Sequence, residues 1–466
     1  MRDGADGRGR RVGERGSDPE PGGALHSVQM REGKGQKSAN IRRQSGERGD
    51  ERPLTGLRDW TGVGDRISKG GLAVSMKGKL AVLVVLAMLV AVLSGCAQKP
   101  AAEQKPEQKP AEENVVRIGF IWPLTGDVKT FGESSKNGSL LALEEANYKA
   151  GKWTIKYEIQ DDRNDATEAV NVATKLISDF KANVIVGGLT SKCAIPISEL
   201  CEQNKVVMMS NTATNPKVTF DPERGGRKTY VFRACFIDDW QGEVGAKFAL
   251  QNLKAKTAAV LYDQGNDYVK GLATFFKQAF EAGGGKIVAF EAYTEKDTDF
   301  SAVLTKIKKE NPDVLYLPDY YNKVSLIAKQ ARDKGIKAVF MGGDGWDSSE
   351  LDFAACEGGY FTNHYSPEDP RPEVQEWVKK YQAKYGSVPD ALATLAYEGT
   401  RLVLKAIEIA DSNDSTKIRD ALQNMKGVPG VSTPSFSFDD HGNPVKPLAI
   451  LQIKDGKQKF IAIVQR

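Results

Sequence analysis

Three short stretches of the 466-residue chain put groups that could hold a small ligand at the ends of apolar runs. Gly187-Gly188-Leu189-Thr190-Ser191 directly precedes a predicted helix, where backbone N–H groups and hydroxyls together make a carboxylate site. Ser210-Asn211-Thr212-Ala213-Thr214-Asn215 is a second hydroxyl cluster, with Thr212 and Thr214 its best donors. Gly342-Gly343-Asp344-Gly345-Trp346 sets a carboxylate among glycines that let backbone pass close to a ligand. Aromatic residues stand in three further loops: Trp122 and Phe131 in the first, Tyr268 after Asp263, and Tyr320 in Asp319-Tyr320-Tyr321. Taken singly, each has an ordinary alternative: a Ser/Thr cluster caps a helix or builds a turn, an aspartate between glycines makes a turn, and a loop tyrosine packs. Their joint occurrence favours a ligand site whose anion-binding half and carboxylate-plus-aromatic half complement a zwitterion with an apolar side chain.

Enzyme chemistry lacks its machinery. The body of the chain has two histidines, His364 and His441, both in predicted connecting segments. It has no GxSxG, HExxH, P-loop or helix-opening GxGxxG motif, and Asp161-Asp162 reads as a strand-end turn. The expectation is a non-enzyme with no catalytic residues, no cofactor and no metal site. Cys193 and Cys201, eight apart on a predicted helix, stand about 12 Å apart along it, too far to bridge. With Cys235 and Cys356 they read as buried thiols, a long-range disulfide remaining open in an exported protein.

The elements that must position these residues alternate. Strands are predicted over 115–121, 153–160, 183–188, 205–210, 229–236, 257–263, 286–293, 313–318 and 337–344, with amphipathic helices between them. Buried strands alternating with helices imply parallel sheets covered on both faces. The order restarts near residue 235. The fold class is therefore α/β: two doubly wound parallel-sheet lobes joined by a multi-strand hinge. Lobe 1 is expected over 115–235 and 364–430, and lobe 2 over 236–363 and 431–466. Strand C-termini in such sheets are where ligands bind.

Before residue 115 the chain reads differently. Leu80–Leu93 is a fourteen-residue apolar run behind Met76-Lys77-Gly78-Lys79. It is shorter than the roughly 20 residues of a spanning helix and has the proportions of a secretory signal over 76–95. Leu93-Ser94-Gly95-Cys96 resembles the lipobox of bacterial lipoproteins, which implies lipid attachment at Cys96. Residues 96–114 form a Lys/Pro/Glu-rich tether with three QKP triplets. Residues 1–75 hold sixteen glycines and no apolar periodicity; they are read as a mis-annotated or disordered extension, with Met76 the true start. Their fifteen Lys/Arg against eleven Asp/Glu account for the whole net charge of +4. From Cys96 onward the balance is slightly acidic, which argues against nucleic-acid binding.

In the body, the stretches IGFIWPLTGDVKTFGES, QDDRNDATEAVNVATKLI, VIVGGLTSKCAIPISEL, MMSNTATNPKVT, YDQGNDYVKGLATFFKQAF, DFSAVLTKIKKENPDVLYLPDYY and KQARDKGIKAVFMGGDG resemble the leucine/isoleucine/valine-binding proteins. These are extracytoplasmic solute receptors of branched-chain amino-acid ABC importers with the type I periplasmic-binding-protein fold, and the similarity spans 115–466. The resemblance implies that Ser191 and Thr214 hold a ligand carboxylate, with the Thr212 backbone and the Thr214 hydroxyl near the ammonium. Asp344 is the implied ammonium counter-ion, where many relatives have Glu. Phe131, Tyr268 and Tyr320 are the implied walls of the closed cleft. The implied partners are an amino acid and the permease and ATPase subunits of an importer, with the protein monomeric and held at the cell envelope by its lipid. The chain departs from its relatives at Lys192, where a small residue is usual, and at Trp122 and Trp346, which add bulk beside the pocket. Larger amino acids, amides and aromatic acids therefore stay open as ligands. A sensory receptor of the same fold is the alternative to a transport receptor.

Overall fold

The computed structural model describes residues 114–466. The extension, the signal segment, Cys96 and the tether up to residue 113 lie outside the described residues.

In chain order the first lobe contains β1 (Val115–Trp122), α1 (Lys129–Glu145), β2 (Lys149–Ala150), β3 (Trp153–Asp161), α2 (Ala166–Ser178), β4 (Val184–Gly187), α3 (Ser191–Asn204), β5 (Val207–Ser210), a β6–β7 hairpin (Phe220–Asp221, Gly226–Arg227) and β8 (Val231–Arg233). The second lobe follows with α4 (Asp238–Gln251), β9 (Thr257–Asp263), α5 (Asp267–Ala282), β10 (Lys286–Tyr293), α6 (Ser301–Glu310), β11 (Val314–Tyr316), α7 (Tyr321–Asp333), β12 (Val339–Gly342) and β13 (Tyr360–Asn363). Then come α8 (Pro372–Tyr385), α9 (Ala391–Ala410), α10 (Ser415–Gln423), β14 (Leu448–Lys454) and β15 (Lys457–Val464).

The first sheet runs β2-β3-β1-β4-β5-β8, parallel except for the edge strand β2. The second runs β10-β9-β11-β12-β13-β14-β15, parallel through β13 and antiparallel beyond. Chain direction across each sheet reverses beside its first strand, between β1 and β4 and between β9 and β11. A crevice opens at such switch points, outside the strand C-termini. Strands β4, β5, β8 and β11 are buried along their whole length, as strands covered on both faces must be.

Helices α8 to α10 belong to the first lobe. Gly138 on α1 lies so close to α9 that a Cβ there would stand 2.1 Å from Ala393 O. Ser135 and Ser139 donate to Leu392 O and Ala396 O across the same contact. Small residues on one face of α1 are what let the two helices approach.

The chain crosses between lobes after β8, after β13 and before β14. The expected position of the last crossing, near Val431, needs correction. Val431 packs with Tyr365, Val374 and Trp377, and Phe438 lies edge-on to Phe232 at 5.3 Å. Arg233 N donates to Gly442 O (3.2 Å), and Thr219 Oγ1 to Asn443 Oδ1 (2.9 Å). Residues 431–446 thus stay on the first lobe, and the chain joins the second sheet only at Leu448. This stretch pairs through the single bridges Val428↔Phe436 and Phe438↔Pro444; its Pro, Gly and Ser residues leave no apolar alternation long enough for a strand. All four cysteines of the body are buried and unbridged. Among the described residues no helix is long and apolar enough to cross a membrane.

Candidate ligand cleft

The cleft is assembled from loops at the C-terminal ends of strands in both sheets. Its cavity is lined by Phe131, Leu189, Thr190, Ser191, Thr212 and Leu392 from the first lobe and by Tyr268, Tyr320, Asp344 and Gly345 from the second. It measures about 20 Å³, room for about one water. Admitting anything as large as an amino acid requires the lobes to part. Contacts across the cleft hold them together: Asn215 Nδ2 donates to Asp267 O (2.8 Å), Tyr321 OH to Asp127 O (3.2 Å), and Thr130 Oγ1 lies 3.3 Å from Ser348 Oγ. Phe131 meets Tyr320 and Tyr321 edge-on, at 5.9 and 5.1 Å.

The first-lobe wall is a helix start. Gly188 takes φ +65° after β4, a left-handed turn that a side chain would strain and that a Cβ would jam against Met208 and Ala194. This turn delivers Thr190 as the N-cap of α3 and Ser191 as its first residue. Thr190 does not cap the helix with its side chain; its hydroxyl donates instead to Asn164 Oδ1 (2.8 Å). Ser191 Oγ accepts from Asn215 N (3.2 Å), which leaves its O–H to donate. Thr212 Oγ1 donates to Leu189 O (3.0 Å), tying the β5 loop to the β4 loop. The dipole and first-turn amides of α3 favour an anion at this wall.

The second-lobe wall carries the charge. Asp344 Oδ1 accepts from Gln241 Nε2 (2.8 Å) and Tyr268 OH (2.9 Å), and its Oδ2 lies 3.2 Å from His364 Nε2. Burial pushes the His364 imidazole down to about 4, against the hydrogen bond and charge of Asp344. The ring is therefore neutral near pH 7, and its Nε2–H donates to the carboxylate. All three partners are neutral donors, so they orient the carboxylate without cancelling its charge. Gly343 is the position where close approach demands glycine: a Cβ would stand 2.6 Å from Tyr268 OH and 2.8 Å from Gln241 Nε2. Tyr268, set in the first turn of α5 by the Asn266 cap, stacks on Tyr320 at 5.3 Å and 8°. Tyr320 N is fixed in turn by Asp319 Oδ1 (2.6 Å).

Six of the nine residues singled out in the sequence thus meet at one cavity. The other three do not line it. Trp122 ends β1 fully buried and stacks on Phe120, two residues back on the same face of the strand. Trp346 is fully buried in the second-lobe core, stacked on Phe361, its Nε1 donating to Leu317 O (2.9 Å). Thr214 is fully buried behind the wall; its carbonyl accepts from Asp238 N (3.0 Å), and its hydroxyl has no hydrogen-bond partner among the described residues. Burial pushes the Asp238 carboxyl well above the ordinary range, the nearby Thr214 hydroxyl opposing and the Asp344 charge adding. The sequence reading missed Gln241, His364 and Leu392. His364 directly follows β13 and so had the strand-end signal, whereas Gln241 and Leu392 sit inside helical patterns that look like ordinary packing.

A roomier groove, about 700 Å³, lies at the far end of the first lobe beside Glu145, Arg401 and Phe436. Its buried acid, Glu398, is already held by Ser432 N (2.7 Å) and Ser432 Oγ (2.5 Å).

The family described as periplasmic binding protein matches residues 115–458. The Leu/Ile/Val-binding protein BraC3 of Rhizobium johnstonii is 37% identical over 321 residues, covering 67% of this chain and 85% of its own. Among solved structures, the leucine binding protein LivK of Thermotoga maritima superposes with a TM-score of 0.71 at 35% identity, over 75% of this chain and 99% of that one. The branched-chain amino acid transporter substrate binding protein LivJ of Streptococcus pneumoniae, in complex with isoleucine, gives a TM-score of 0.70 at 29% identity, over 76% and 100%. With two doubly wound lobes closing strand C-termini on one cleft, and these matches along the whole body, the chain belongs to the periplasmic binding protein family, alongside the Leu/Ile/Val-binding proteins.

Proposed function

We propose that this protein captures an α-amino acid with an apolar side chain between its lobes and delivers it to the permease of an ABC importer. The observation that carries the reading is Asp344, a buried carboxylate oriented by three neutral donors on the cavity wall. Such a group calls for a cation, and an ammonium satisfies it. The carboxylate of the same ligand would take the Ser191 hydroxyl and the first-turn amides of α3. Phe131, Tyr268, Tyr320, Leu189 and Leu392 would cover its side chain. The relatives' names for leucine, isoleucine and valine point the same way. Hinge closure completes the ligand's bonds and fixes the lobe surfaces for the permease. An aromatic acid without an ammonium fits less well, because it leaves Asp344 buried and uncompensated.

Calorimetry over leucine, isoleucine, valine, alanine, phenylalanine and benzoate tests the reading. Tight binding of at least one apolar amino acid is expected, with benzoate weaker by a hundredfold or more. Benzoate as the tightest ligand overturns it. The lipid anchor rests on LSGC at Cys96 and has its own test: palmitate labelling in cells should mark the wild type and be lost in Cys96→Ser.

A further inference from the structure

Lys192 stands next to Ser191 in the first turn of α3, at the rim of the cleft rather than in its wall. Its Nζ lies 3.1 Å from Glu295 Oε1, in the loop after β10 of the second lobe. This ion pair spans the cleft mouth, where the neighbouring contacts between Asn215 and Asp267 and between Tyr321 and Asp127 are neutral hydrogen bonds. The surroundings reinforce it. Asp263 at the end of β9 lines the same rim depression as Lys192 and Glu295 and adds a second carboxylate from the second lobe within electrostatic reach of the lysine. Asp162 does so from the first lobe. The Glu295 loop is itself held: Lys323 Nζ donates to Glu295 O (2.5 Å) and Asp297 O (3.0 Å), and Thr294 N donates to Asp297 Oδ2 (2.8 Å). Glu295 is therefore held in place to meet the Lys192 cation of the other lobe.

We propose that Lys192 and Glu295 form an electrostatic latch that favours the closed cleft and makes ligand retention depend on ionic strength. The proposal concerns retention at the cleft assigned above and rests on that reading. An interaction shifts the open–closed balance only by its difference between the two states, and here the difference is built in. The partners sit on separate lobes, so parting the lobes breaks the pair, while Asp162 stays with Lys192 in both states. Side-chain exposure of 21% for Lys192 and 58% for Glu295 keeps the effect modest. It corresponds to about a two- to fivefold change in affinity at low salt, carried mainly by faster dissociation. Salt screens it, since the Debye length falls from about 10 Å at 0.1 M to about 3 Å at 1 M.

The test is a double-mutant cycle on leucine affinity by calorimetry, at about 50 mM and about 1 M NaCl. The proteins are wild type, Lys192→Gln, Glu295→Gln, the double variant, and the exchanged pair Lys192→Glu with Glu295→Lys. Each single variant should bind two- to fivefold more weakly at low salt, with the double variant no weaker than the singles. The exchanged pair should recover part of the loss, and all five should converge at high salt. Additive losses, or losses that survive high salt, overturn the latch. A fluorophore pair with one dye on each lobe gives a second readout that needs no ligand. Glu295→Gln and high salt should lower the closed fraction alike, and an unchanged interlobe distance in both overturns the latch. If wild type binds no amino acid, the proposed function fails while the dyes still decide the latch.

Discussion

On the proposed reading, the two walls of the cleft would recognise a ligand with different materials. The first-lobe wall would meet the anion with what any helix start offers, amides and a dipole, supplemented by the Ser191 hydroxyl; these anion-binding parts lie within a few residues of one another, while Phe131, Thr212 and Leu392 join the wall from elsewhere in the chain. The second-lobe wall uses a single charged group held by side chains from far along the chain: Gln241 on α4, Tyr268 on α5 and His364 after β13. An anion can be met by many weak partial charges, and losing one leaves the rest. A cation met by one buried carboxylate has no substitute. The lobes therefore differ in how sharply a single substitution can break them.

The largest effect is expected at Asp344. Removing one partner of a desolvated pair typically costs ~3–5 kcal/mol, so Asp344→Ala should weaken leucine binding by about a hundred- to a few-thousand-fold. The same substitution leaves Tyr268 and His364 without an acceptor, while Gln241 keeps Thr362 Oγ1 (3.0 Å); each orphaned donor is costly, so the empty protein should also melt at a lower temperature. Calorimetry of Asp344→Ala decides: affinity within about threefold of wild type would remove the carboxylate from recognition and with it the contrast between the walls.

This contrast also explains what could be read from sequence. Strands such as Thr257–Asp263 and Val184–Gly187 stand where their apolar runs put them, because buried strands leave no choice of residue type. The first-lobe wall was legible because its parts are contiguous: a glycine turn, then hydroxyls, then a helix. On the second-lobe wall Asp344 was legible, but not what orients it, since nothing local in Gln241-Gly242-Glu243 or in Asn363-His364 tells where those side chains converge. Trp122 stays out of the cavity lining for a different reason. Its loop position suggested the pocket, yet strand alternation ties it to Phe120 and the core. Residues 431–446 lie on the first lobe and not on the expected second, since an irregular segment carries no pattern to say which sheet it covers.

The next effect arises where the polar networks of the lobes join. Asp390 of the first lobe caps α9 by accepting from Ala393 N (2.8 Å) and also accepts from Ser134 Oγ (2.6 Å). Asp347 of the second lobe accepts from Ala391 N in the same helix start (2.8 Å), from Asn363 Nδ2 (2.9 Å) and from Gln458 Nε2 (2.9 Å). Burial first, and the Asp347 charge second, push the Asp390 carboxyl up to about 7; Tyr365 and Tyr381 are its other titratable neighbours. The unfolded carboxyl titrates near 3.8. Below pH about 4 both states hold the proton, and the folded state bears no ionisation cost. Between about 4 and 7 the unfolded chain has released it and the folded protein has not, so this group lowers stability as pH rises. The upper bound is on the order of 4 kcal/mol across that window. Asp390→Asn should remove this group's share of the slope, leaving that of the Asp347 carboxyl, which burial also raises, so that its stability relative to wild type climbs from pH 4.5 to 7.5 in urea unfolding. A difference that stays constant with pH would mean Asp390 is already ionised in the folded state.

The smallest effect belongs to the first-lobe wall. A hydrogen bond to a charged group contributes about 1.5–3 kcal/mol, but when the Ser191 hydroxyl is lost the amides of α3 remain to hold the carboxylate. Ser191→Ala should therefore weaken leucine binding by about tenfold, well short of the loss at Asp344, and Ser191→Thr should restore most of it. Ser191→Ala also takes the acceptor from Asn215 N, so a loss of affinity could come from a slackened loop instead of a missing ligand contact. Leucinamide separates the causes, because it keeps the ammonium and side chain and lacks the anionic carboxylate. If Ser191 meets the carboxylate, the variant penalises leucine several times more than leucinamide, whereas Asp344→Ala penalises both alike. Equal penalties on the two ligands from Ser191→Ala would show that the serine only braces the loop. The anion would then be held by the helix start alone, and the first-lobe wall would owe nothing to its side chains.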